Sequence, residues 1–208
     1  MTYHFITIEG NIGAGKTTLA VALAKRRRAF FLAEEFRDNP LLPLFYENKK
    51  KMAFPLEYSF LISRHTQLHN YFKAKHKKIT VADFSLHKCL WFAKSNLTKE
   101  EFKFYKEHFK IIESVSRKPD LLIYINTHHK NLLNNIEKRG REYEKSIDKK
   151  YLQSVTENYI SGLRKIKNIP VIEFSVTDYQ PETVHTMVNF TDDILKEGIK
   201  FKYKTISL

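Results

Sequence analysis

The chain has 208 residues, of which 42% are hydrophobic and 13% aromatic, with a single cysteine and a formal net charge of +13. This length and apolar content suit one globular unit, residues 1–208, with a sizeable core, and exclude a disordered chain. A lone Cys89 excludes a disulfide framework and any multi-cysteine metal site, and no segment approaches the roughly 20 apolar residues of a membrane span, so a soluble, cytoplasmic protein is expected.

The first apolar run, residues 4–8, reads as a buried strand. Directly behind it, Gly10, Asn11, Ile12, Gly13, Ala14, Gly15, Lys16 and Thr17 spell a complete GxxxxGK[ST] phosphate loop, and Thr18 opens an Ala/Leu-rich helical run to residue 25. Glycines let successive N–H groups turn around phosphate oxygens, Lys16 adds charge near the β and γ phosphates, and Thr17 offers a hydroxyl to magnesium. A nucleoside triphosphate site is expected there. What the loop leaves open is the destination of the phosphate.

Further apolar runs at 29–33, 79–82, 121–125 and 171–174 also read as strands. Between them, helices are expected at 55–76, 86–93, 99–116, 130–138, 147–167 and 181–195, each with apolar residues at three- or four-residue spacing. Five strands alternating with helices predict a three-layer α/β/α domain on a five-stranded parallel sheet. Ligands then bind at the carboxyl ends of the strands.

That rule singles out Glu34 and Glu35 after the second strand and Asp83 after the third. A carboxylate beside triphosphate is repelled unless it works through magnesium or takes a proton from a nucleophile. Asp83 could also simply cap the next helix. Farther on, Arg139-Gly140-Arg141 lies between two helices, with a glycine that permits a tight turn and two guanidinium groups for a γ-phosphate. These are candidate lid arginines, on a lid of about residues 139–147; a C-cap glycine between solvated charges is the plainer alternative. Basic runs at 25–28, 49–51, 73–78 and 200–204 would attract polyanions, yet no nucleic-acid-binding signature accompanies them.

Taken in order, the motifs resemble the deoxynucleoside kinases of bacterial type, which phosphorylate deoxyadenosine, deoxyguanosine or deoxycytidine. The resemblance rests on Ile8-Glu9-Gly10 through Thr18, Glu34-Glu35-Phe36 with Asp38-Asn39-Pro40 and Phe45-Tyr46, and Phe54-Pro55-Leu56-Glu57 leading to Arg64 and Gln67. It continues in Phe92-Ala93, Asn96-Leu97, Lys118 to Leu122 and Arg139 to Glu144. It implies magnesium-ATP-dependent transfer of the γ-phosphate to a deoxynucleoside 5′-hydroxyl, by a protein that forms homodimers. On that basis Glu34 matches the base that takes the hydroxyl proton, and Asp83 joins Thr17 at magnesium. Tyr46 and Glu144 match the pair that holds the 3′-hydroxyl, and Arg64 lines the same cleft.

Two departures from the family pattern stand out. After Asp83 many members have arginine, but here the segment is Asp83-Phe84-Ser85, and Arg64, Lys88 or a lid arginine is left to supply that charge. Near the base, Glu57 replaces a glutamine and Lys88 stands where an acid is frequent. An ionised Glu57 accepts from guanine N1–H and N2–H2 while Lys88 donates to O6 or N7, which points to a purine, with guanine as the candidate base. A mutual Glu57–Lys88 ion pair is the alternative reading. Two other functions remain in view: a monophosphate kinase of the thymidylate kinase type, against which Glu34 argues by repelling an acceptor phosphate, and a basic nucleic-acid-binding NTPase, which the sugar-binding residues do not favour.

Overall fold

β1 (Phe5–Gly10) is buried along its whole length, because it runs through the middle of the sheet with a parallel neighbour on each side. The structure is a computed structural model and describes residues 3–36, 39–74, 78–198 and 201–208. Asp38 and parts of the basic runs at 73–78 and 200–204 therefore lie outside the described residues, as does the end of the helix expected to reach His76.

The remaining elements are α1 (Lys16–Arg27), β2 (Phe30–Leu32), α2 (Leu41–Glu47), α3 (Lys49–Lys73), β3 (Thr80–Ala82), α4 (His87–Asn96) and α5 (Lys99–Val115). They continue with β4 (Leu121–Thr127), α6 (His129–Arg139), a 3-10 turn at Glu142–Glu144, α7 (Lys149–Leu163), β5 (Val171–Val176), α8 (Pro181–Glu197) and β6 (Tyr203–Ser207). The sheet order is β2-β3-β1-β4-β5-β6, every pair parallel. The chain winds away from β1 in both directions, so a crevice opens at the carboxyl end of β1, where Gly10 begins the phosphate loop.

The sheet has six strands rather than the expected five. β6 escaped the sequence pattern because it is an edge strand, half-buried or exposed along its length, and its alternation of Lys204 and Thr205 with Ile206 lacks an apolar run. Two helical segments also differ. α2 was not anticipated, being seven residues with Pro43 among them. α3 starts at Lys49, ahead of Pro55, with the Asn48 side chain accepting from Lys51 N at 3.1 Å as its cap. A proline read as a first-turn residue is in fact inside the helix, where it removes one backbone donor.

Alternate residues of each strand face opposite layers. Ile6, Ile8, Leu121, Ile123, Ile125, Ile172 and Phe174 pack with Leu19, Leu23, Met187 and Ile194 of α1 and α8. On the other face, Phe5 and Ala82 join Leu61, Cys89, Tyr105 and Phe109 of α3, α4 and α5, while Leu122 and Tyr124 meet Trp91, Val155 and Tyr159 of α4 and α7. Cys89 is a buried core residue. Part of the basic excess is neutralised internally: Arg26, Arg27 and Lys196 all pair with the buried Asp192, joining α1 to α8. No described helix is long and apolar enough to cross a membrane.

Candidate active site

The phosphate loop is held open by its neighbours. Gly13 has φ 80° and a Cβ there would stand 2.6 Å from Leu132 O; Gly15 has φ 83° and a Cβ would meet the Tyr179 hydroxyl at 2.1 Å. Both positions need the left-handed region and lack side-chain space, so glycine is required twice over. Asn11 works through its side chain as a strut: Nδ2 donates to Leu152 O at 2.7 Å and Thr156 Oγ1 at 2.8 Å, while Oδ1 accepts from Ile12 N. From the other side Asn135 Nδ2 donates to Gly13 O at 2.8 Å. The loop is thereby anchored to α6 and α7.

Lys16 Nζ donates to Gly10 O at 3.0 Å and Asn11 O at 2.8 Å, curling over the loop. Burial and the ammonium of Lys88 lower its pKa to about 7, against the pull of Glu34, Glu9 and Asp83. Ile12 is half-buried, Ala14 is fully buried, and Thr17 and Thr18 are exposed at the amino end of α1, where helix N–H groups favour an anion.

Asp83 joins the loop to the segment that follows β2. Its Oδ2 accepts from the Thr17 hydroxyl at 2.5 Å and its Oδ1 from Glu34 N at 2.8 Å. The two residues expected at magnesium are thus adjacent, one a hydroxyl and one a carboxylate, an oxygen donor set that suits a hard cation. No cluster of three His, Cys, Asp or Glu suited to a metal occurs among the described residues.

Glu34 lies two residues beyond β2, with its side chain 5% exposed. Arg64 gives Nε to Oε1 at 2.7 Å and Nη2 to the same oxygen at 2.6 Å; Lys88 Nζ donates to Oε2 at 2.6 Å. Burial pushes the Glu34 carboxyl upward, but Lys88 and Arg64 outweigh it and hold the pKa at about 2. Arg64 is itself fixed by Nη1 donating to Cys89 Sγ at 3.1 Å and by the Phe60 ring at 4.4 Å.

Lys88 therefore serves Glu34. Glu57 instead accepts from Asn96 Nδ2 at 2.6 Å, and the Glu57–Lys88 pairing weighed from sequence is not the one that forms. Glu57 is 2% exposed, its Oε2 has no hydrogen-bond partner among the described residues, and burial lifts its pKa to about 7 despite the Asn96 bond.

The candidate lid residues form a second cluster. Glu144, 4% exposed, takes Arg139 through Nε at 3.1 Å and Nη2 at 2.5 Å, and Arg141 through Nη1 at 3.1 Å. Both candidate lid arginines thus pair with the carboxylate expected at the sugar. Tyr46 stacks on Tyr143 at 5.8 Å, and its pKa is raised by burial and by nearby Glu144. Gly140, at φ 67°, caps α6 in the left-handed conformation, as the C-cap alternative expected.

Two residues enter the sequence pattern only as members of motif runs, with no role of their own: Asn96, which donates to Glu57, and Glu9, which is fully buried and accepts from Ser85 N at 2.6 Å and from the Tyr159 hydroxyl at 2.9 Å. A glutamate inside an apolar strand was the available clue.

A sequence model of the family "Deoxynucleoside kinase" matches residues 6–197. The chain belongs to the deoxynucleoside kinase family. It is a phosphotransferase, and membership implies ATP as phosphate source. This deoxynucleoside kinase is 37% identical over 169 residues to the deoxyguanosine kinase of Bacillus subtilis (strain 168), covering 80% of this chain and 81% of that protein. It is 33% identical over 190 residues to the deoxyadenosine kinase of Dictyostelium discoideum, covering 88% and 77% respectively. In fold it is similar to the deoxyadenosine kinase of M. mycoides solved with bound dATP, with a TM-score of 0.77 at 24% identity, over 90% of this chain and 99% of that one.

Proposed function

We propose that this kinase moves the γ-phosphate of magnesium-ATP to the 5′-hydroxyl of a purine deoxynucleoside, with deoxyguanosine preferred. The observation that carries the preference is Glu57, a buried carboxyl with one oxygen on Asn96 and the other unpaired. Such an oxygen demands a donor, and guanine offers N1–H and N2–H2, whereas adenine has no N1–H. The deoxyguanosine kinase relatives, at 35–37% identity, support the same direction.

In this reading the loop from Gly10 to Thr18 holds the triphosphate, with Lys16 at its β and γ groups. Thr17 and Asp83 hold magnesium, which would neutralise phosphate charge there. Glu34 takes the proton of the 5′-hydroxyl, Tyr46 and Glu144 take the 3′-hydroxyl, and sugar binding to Glu144 releases Arg139 and Arg141 for the phosphates. Arg64 keeps Glu34 oriented. Residues 1–208 act as one catalytic unit in the cytoplasm, with 139–147 as the lid.

The reading includes a homodimer. Ile62 of α3 and Phe104, Ile111 and Val115 of α5 are each more than half exposed, on two helices already packed through Phe54–Phe104 and Tyr58–His108. Exposed apolar side chains along two adjacent helices suit a second copy of the same face. Light scattering should give twice the chain mass, falling to one when Phe104 and Ile111 are both replaced by Glu.

The substrate test is direct: purified protein, ATP, magnesium and each of four deoxynucleosides, with the monophosphates quantified. Deoxyguanosine should turn over fastest. Thymidine or deoxycytidine as best acceptor would refute the purine preference, and turnover of thymidylate instead of nucleosides would favour the monophosphate kinase.

A further inference from the structure

Phe84 occupies the position where the resemblance leads one to expect arginine, and its side chain is fully buried. It packs with Leu61, Leu68, Leu86, Ala93 and Phe109 in the core beneath α3, α4 and α5. No cation reaches the cleft from that position.

Lys88, in the first turn of α4, is directed differently. Its Nζ meets Glu34 Oε2 at 2.6 Å and the Phe92 ring lies 5.7 Å away. An ammonium carries three donors, and Glu34 is the sole hydrogen-bond acceptor that Lys88 has among the described residues. Arg64 contrasts with it: Nε and Nη2 are spent on Glu34, Nη1 on Cys89, and Phe60 lies under the guanidinium. A planar fork bound at each nitrogen orients, while a flexible ammonium with spare donors can change partner. Lys88 also acts on Lys16, where it is the largest influence after burial. It therefore stands where the acceptor's base and the triphosphate's cradle meet.

Resting on the kinase reading above, we propose that Lys88 is the catalytic cation that meets the transferring phosphoryl group at the acceptor oxygen, in place of an arginine at position 84, and that it does not read the nucleobase. In the transfer, the bond from the 5′-oxygen to the γ-phosphorus forms and the bond from that phosphorus to the β,γ-bridging oxygen breaks. The electron pair leaves with ADP, and the hydroxyl proton goes to Glu34. Lys88 neither gains nor loses a proton; its spare N–H groups bond a phosphoryl oxygen while its charge remains beside Glu34.

The test measures kcat and KM for four deoxynucleosides with wild type, Lys88→Met and Lys88→Arg, together with deoxynucleoside affinity by calorimetry. Lys88→Met should lower kcat about 100-fold or more for every acceptor that the wild type uses. Affinities should stay within about threefold, the order of preference should be unchanged, and Lys88→Arg should recover most of the rate. A changed order of preference, or a raised KM with kcat intact, would overturn the proposal. Circular dichroism and ATP binding monitor folding; should Lys88→Met prove unfolded, Lys88→Arg decides by whether the order of preference holds. Wild type that phosphorylates none of the four would overturn both this proposal and the reading beneath it, whereas an active wild type with unaltered Lys88→Met kinetics would overturn this one alone.

Discussion

The Tyr159 hydroxyl donates to Glu9 Oε2 across 2.9 Å, joining residues 150 apart in sequence. The bond fastens α7 to the strand that launches the phosphate loop, and Glu9 at 0% exposure has no water to fall back on. Tyr159→Phe should therefore cost about 1–3 kcal/mol, because it leaves a buried carboxyl oxygen unpaired. Denaturant unfolding measures it; a change below about 0.5 kcal/mol would show the bond to be dispensable.

Glu34→Gln separates chemistry from architecture. Without the carboxylate, the chemical step should fall by about 100- to 10,000-fold while ATP still binds. The same change strips Arg64 and Lys88 of their shared counter-charge, so a stability loss of about 3 kcal/mol should accompany it. Single-turnover rates and thermal melts, recorded on one preparation, check both; undiminished turnover would remove Glu34 from the mechanism.

Glu57 sets a pH dependence of known sign. Its pKa is raised, from 4.5 unfolded to about 7 folded, chiefly by burial. Between those values the folded state holds the extra proton, so this group's contribution to stability is full below about pH 4.5 and declines as pH rises to 7. Relative to Glu57→Gln, the wild type should lose up to about 3 kcal/mol between pH 5 and pH 8 without ligand. Deoxyguanosine binding should strengthen over the same interval, since the ionised form is the acceptor. Flat pH profiles for both quantities would contradict the assignment.

Gly162 of α7 touches Trp91 of α4: a Cβ would lie 1.9 Å from Nε1 and 2.4 Å from Cδ1 of the indole. Gly162→Ala should push the helices apart at a cost of about 1–3 kcal/mol. Trp91 is the one tryptophan in the chain, so its emission should shift to the red as water gains access. An unshifted spectrum with wild-type stability would mean that the seam adjusts freely.

Glu144 offers a test of the sugar contact. Wild type should use 2′,3′-dideoxyguanosine about 100-fold less efficiently than deoxyguanosine, as a charged hydrogen bond is lost. Glu144→Ala should compress that ratio toward one. A ratio unchanged by the substitution would assign the 3′-hydroxyl to other groups.

The phosphate loop, the central strands and the alternation of strand and helix were legible in the sequence because each is a local pattern: glycines at fixed offsets, apolar runs buried on both faces, and helical periodicity. The acids at Glu34 and Asp83 were legible for the same reason, standing just past the strands that carry them. β6 and α2 were not, since an edge strand with one neighbour and a seven-residue helix containing proline owe their order to packing rather than to pattern. Nor could sequence aim the side chains. That Phe84 turns into the core while Lys88 reaches Glu34, and that Glu57 finds Asn96 while Arg139 and Arg141 gather on Glu144, depends on which surfaces the folded layers bring together. A buried charge takes the partner that the tertiary structure places within reach, and spacing along the chain does not specify that partner.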